Sequence, residues 1–131
     1  MKKLTFEFLM EYAQKMKNNT CTERLQRTPF FQKQYDEYKQ RRDLHDHIMK
    51  TYLYKRNYNL ARNLFPLNID DNISQYVLWV TDHASLDIHE YVRHFFATKR
   101  TVVFTNPKEW KSIPTITHHH VFVEEYVASK L

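Results

Sequence analysis

The sequence predicts an α+β fold, with an N-terminal helical region packed on a small mixed sheet of three or slightly more strands and one crossover helix. Three observations carry this. Apolar residues recur every three or four positions through the first half, the period shortens to continuous apolar runs in the second half, and Asn, Asp and Pro punctuate the segments. The 131 residues suit one domain, with residues 1–65 as a basic helical part and 66–131 as a strand-helix-strand-strand part.

The first helix is expected over 5–18, where Phe6, Leu9, Met10, Ala13 and Met16 form a stripe and Thr5 is available as a cap. Thr28-Pro29 opens a second helix, because a hydroxyl cap followed by proline at the first helical position is pre-organised for that role. It runs to about Arg42 with Phe31, Tyr35 and Tyr38 on one side. A third helix, about 43–55, turns Leu44, Ile48 and Tyr52 inward, and residues 57–72 read as a connection. Tyr76-Val77-Leu78-Trp79-Val80 is apolar throughout, as in a strand covered on both faces. A helix from Ser85 to about Thr98 follows, with Asp87 in its first turn and Ile88, Val92, Phe95 and Phe96 inward. Strands are expected at 101–105 and within 118–127. Strand, helix, strand is the pattern of a right-handed crossover, which predicts that the first two strands pair in parallel.

Composition excludes several function classes. The chain holds no glycine, so the phosphate-cradling loops that need close backbone approach or positive φ are absent, and with them the P-loop and dinucleotide-binding fingerprints. No apolar run is long enough to cross a membrane, and Glu7 and Glu11 interrupt the start where a secretion signal would lie. Cys21 is the one cysteine, which points to a reducing, intracellular setting, expected to be the cytoplasm. Charge is uneven: residues 1–65 carry 14 Lys/Arg against 7 Asp/Glu, whereas 66–131 carry 6 against 8, giving the net +5. A polyanion would meet the first half first.

Short motifs follow one another in a recognisable order. They are Leu25-Gln26-Arg27-Thr28-Pro29, Asn63-Leu64-Phe65-Pro66, Val77-Leu78-Trp79, Val103-Phe104-Thr105-Asn106-Pro107, Trp110-Lys111-Ser112-Ile113-Pro114 and His118-His119-His120-Val121-Phe122-Val123. Over roughly residues 21–123 the chain resembles the fungal N-acetylglucosamine-induced protein family, a domain of unknown biochemical function. Gln75 stands where that pattern calls for a histidine, and Leu67 where it favours tyrosine. The resemblance implies that the matching polar positions share one cleft, and it supplies no chemistry.

Alternation along a strand puts His118, His120 and Phe122 on one face and His119, Val121 and Val123 on the other. Two readings follow for the first pair. As metal ligands, His118 and His120 would start a divalent-ion site, but Glu124 lies about 13 Å along the strand, so a further ligand must come from His83, His89 or Asp87. Without metal, the two imidazoles beside Arg27, Asn106, Lys111 and Ser112 form a pocket for phosphate or a sugar phosphate, one histidine acting as general acid or base. A binding-module reading instead uses Lys33, Lys39, Arg41, Arg42, Lys55 and Arg56 to contact nucleic-acid phosphates, and the aromatic-rich helices to meet a protein partner. Of these we expect the small-ligand pocket, with catalysis open.

Overall fold

The structure is a computed structural model that describes residues 2–20, 23–82, 84–107, 110 and 116–127. Four helices and four strands run in the order α1 (Phe6–Lys17), α2 (Pro29–Lys39), α3 (Leu44–Thr51), β1 (Tyr58–Arg62), β2 (Ile73–Thr81), α4 (Ile88–Phe95), β3 (Thr101–Phe104) and β4 (Ile116–Glu124). The fold is α+β. The capping signals work as their chemistry dictates: Thr5, Thr28 and Asp87 each accept a backbone N–H from the first turn of α1, α2 and α4.

The sheet departs from expectation in two ways. It has four strands in the order β1-β2-β4-β3, and every neighbouring pair is antiparallel. The strands on either side of α4, β2 and β3, do point the same way, but β4 lies between them and bonds to both. The crossover therefore spans one strand, and the sheet is not mixed. Nothing in the local pattern of β4 announces that it will enter the middle. Its Val121, Phe122 and Val123, all fully buried, require cover on both faces, and the centre of a sheet provides it. The fourth strand, β1, comes from the stretch expected as a connection. Asn59 and Ala61 dilute its apolar alternation, and it becomes a strand because the edge of β2 offers partners for its backbone.

Register fixes two faces. Val77 stands opposite His120, Trp79 opposite His118, and Phe104 opposite His120 from the other side. These residues face α1, α2 and α3. On that face Phe6, Leu9 and Tyr12 of α1 pack on Val102, Phe104 and Phe122, while Leu44 and Ile48 of α3 pack near Ile116. The opposite face carries Leu78, Val80, Val121 and Val123 under Ile88, Val92 and Phe96 of the α4 segment, whereas Phe95, expected inward, is exposed. Helix α2 is the exception, since it buries none of its residues fully. Its inner side borders a cleft instead of filling core.

Among the described residues, no helix is long and apolar enough to cross a membrane.

Candidate ligand-binding cleft

The cleft lies between α2 and the helix-covered face of the sheet. It has an inner hollow of about 60 Å³, walled by Tyr38, Leu44, Ile48, Tyr52, Val77 and Trp79, and an outer chamber of about 270 Å³ reaching Arg24, Gln26, Gln32, Asn106 and Trp110. Arg27, Tyr35, Lys39 and His120 border both, so they form the waist of the site.

His120 is the deepest polar group. It is 8% exposed, held by strand alternation on the inner face beside Phe104, with ring centroids 5.4 Å apart. The Asn106 amide nitrogen, Nδ2, lies 3.3 Å from its Nε2 and donates to it. Nε2 therefore accepts, and the ring proton sits on Nδ1. Nδ1 is shielded from solvent and has no partner among the described residues. Burial, followed by the charges of His118, Arg27 and His119, lowers the imidazole pKa to about 3. His120 is thus a neutral ring with one unpaired N–H donor. It is a poor proton source at neutral pH. His118 is half-buried and packs between Trp79 and His120, at centroid distances of 5.3 and 5.5 Å.

The cationic wall comes from the segment before α2 and from α2 itself. Arg27 donates from Nε to the Phe65 carbonyl at 2.6 Å, and its guanidinium lies 3.8 Å above the Tyr35 ring. Burial pulls its pKa below the usual arginine value, with Tyr35 and Asp36 opposing the shift. The guanidinium remains charged. Lys39 reaches the same ring at 4.6 Å, because Tyr35 and Lys39 are four residues apart on one helical face. Arg24 lies over the Trp110 ring at 4.9 Å. No Asp or Glu lines either chamber among the described residues, and Arg27 makes no ion pair there. Tyr38 is also affected: burial, then the neighbouring Tyr52, pushes its phenol up to about 12, so it stays a neutral donor.

Most of the expected site converges. Arg27, Asn106, His118 and His120 surround one cleft, while Lys111 and Ser112 lie outside the described residues. The metal shell does not close among the described residues, where no group of three potential ligands exists. His89 and Asp87 were expected to complete it from the neighbouring helix, but α4 covers the opposite face of the sheet, where Ile88 and Val92 pack. His83 lies outside the described residues. The basic set divides. Lys39 borders the cleft while pairing with Asp36 at 3.7 Å, Arg41 pairs with Asp43 at 3.0 Å, and Lys33, Arg42, Lys55 and Arg56 are exposed. Sequence reasoning missed Tyr35 as the platform for two cations. The four-residue spacing of Tyr35 and Lys39 was the available signal.

No family model matches the sequence, and no curated protein matches it. The crystal structure of HTC1 is similar in fold, with a TM-score of 0.64 over 92% of this chain and 84% of that one, at 18% identity. At that identity the likeness concerns the fold alone. The chain is therefore an α+β protein with a fold like that of HTC1.

Proposed function

We propose that the protein binds a small phosphorylated ligand, of the phosphate or sugar-phosphate type, at the waist of this cleft. One observation carries the reading: Arg27, Lys39 and Arg24 border a concave site whose lining holds no carboxylate among the described residues. Adjacent cations, only partly offset by Asp36, which pairs with Lys39 at 3.7 Å from outside the lining, raise the energy of the empty site, and an anion between them lowers it. Tyr35 holds the guanidinium in place, so its charge-assisted bonds to a phosphate cost little ordering. The amides of Gln26, Gln32 and Asn106 suit hydroxyl groups on the organic part. The positions that resemble the fungal N-acetylglucosamine-induced family, Arg27, Asn106, His118 and His120, are the ones gathered here, which favours membership of that family.

Titration calorimetry with inorganic phosphate and with a hexose phosphate, at low salt and pH 7.5, tests the reading. Saturable binding is expected, and Arg27→Gln should weaken it at least about tenfold, the loss of one charge-assisted bidentate contact. No saturable heat from either compound at 10 mM would end the proposal.

A further inference from the structure

The two edges of the sheet are built differently. β3 is four residues long and shielded: Phe6, Leu9 and Tyr12 of α1 pack against Val102 and Phe104. Charged pairs flank it, with Arg100 on Glu124 and Lys99 on Glu125. β1, at the other edge, bonds only to β2 among the described residues. It contains no proline or lysine, the residues that commonly guard an exposed edge. Its single charge, Arg62, is drawn sideways over the Tyr76 ring at 5.0 Å and toward the Ser74 hydroxyl at 3.3 Å.

The ladder of β1 has a definite phase. At its two ends Thr81 N–H donates to Asn57 O, and Asn63 N–H donates to Gln75 O. Antiparallel pairs alternate between bonded and unbonded, so the bonds to β2 fall on residues 57, 59, 61 and 63. The backbone N–H and C=O groups of Tyr58, Leu60 and Arg62 therefore point outward. Their side chains all lie on the α4 face, where Tyr58 meets Tyr91 at 5.2 Å. This outward set is symmetric about Leu60.

We propose that β1 pairs antiparallel with β1 of a second copy of the chain, centred on Leu60, to form a continuous eight-stranded sheet across a twofold axis. The symmetry makes the edge its own complement. Leu60 meets Leu60 at the axis, and Tyr58 stands opposite Arg62 of the second copy, and the reverse. Each of these three pairings exchanges both outward backbone bonds. The Arg62 guanidinium, already over Tyr76, takes the Tyr58 ring of the second copy on its outer side. Exposed Tyr58 and Phe95 and half-buried Tyr91 lose water at the same junction. The contact is small, so a reversible dimer is expected.

Sedimentation velocity on the untagged full chain, from roughly 1 to 500 µM, tests this, since a small interface dissociates in that range. The wild type should pass from monomer to dimer. Tyr58→Lys sets like charges opposite Arg62 twice by symmetry and should weaken the dimer about tenfold. Adding Arg62→Glu makes the same pairs complementary and should restore it. Leu60→Pro removes an outward N–H, leaves the bonds to β2 intact, and should remain monomeric. Circular dichroism checks that each variant is folded. A wild type that stays monomeric at 500 µM overturns the proposal, as does a dimer indifferent to Tyr58→Lys, or a folded double variant that fails to recover.

Discussion

Acidification should weaken the folded state through His120. In the fold its pKa is about 3, against 6.5 as the ordinary value in an open chain. Because the folded value is the lower, the unfolded chain takes up this proton first as pH falls. The stabilisation is complete above pH 6.5 and drains away as pH falls toward 3. Integrating between pH 7.5 and pH 5 gives a loss of about 2 kcal/mol, roughly thirtyfold in the folding equilibrium. In urea that is a midpoint about 1 M lower for a domain of this size. Other groups add little to the part assigned here. The lowered carboxylates, Glu124 and Glu125 among them, act mainly below pH 5, and the remaining histidines are shared by wild type and variant. Urea unfolding of wild type and His120→Gln at both pH values isolates the effect. The wild type should lose about 2 kcal/mol more than the variant over this interval. Equal losses in the two proteins would refute the reasoning, because they would mean that His120 accepts its proton without unfolding. His120→Asn, with a smaller neutral side chain, serves where the glutamine variant is too unstable to measure.

Two further effects are expected. Arg100 holds both oxygens of the buried Glu124 carboxylate, at 2.9 and 2.7 Å, and keeps its pKa below the usual glutamate value. Arg100→Met should lower the urea midpoint at pH 7, with the deficit shrinking below pH 4.5 as Glu124 becomes protonated; a deficit constant from pH 7 to pH 3.5 would contradict that role. Thr5 accepts the Phe8 N–H at 3.1 Å and caps α1, whose Phe6, Leu9 and Tyr12 are core. Thr5→Ala should cost about 1 kcal/mol in chemical denaturation, while Thr5→Asp, which keeps the cap, should cost much less.

How far the sequence speaks depends on how local the governing physics is. Thr5, Thr28-Pro29 and Asp87 located three helix starts because a cap answers to its own first turn. The period of Phe6, Leu9, Ala13 and Met16 located an inward stripe for the same reason, although Met10, expected in it, is exposed. Alternation correctly put His118 and His120 on one face, since side-chain direction on a strand is a property of the backbone. The absence of glycine ruled out phosphate loops before any fold was known.

Strand order, by contrast, was not legible. β1 has polar Asn59 and small Ala61 on its inner face, so its alternation is weak and only β2 makes it a strand. The insertion of β4 between β2 and β3 depends on which edges remain open after α4 crosses, a question about the whole sheet. The site divides along the same line. Strand phase nominated His118 and His120 and the family resemblance Arg27 and Asn106, but the Tyr35 ring under two cations and the burial that keeps His120 neutral arise only when α2 closes over the sheet. Sequence alone determined which way each side chain points along its own element. Tertiary packing decided which elements meet, and so which charges lie close in a site of low dielectric, because desolvation and Coulomb energy depend on distance in space and not on distance along the chain.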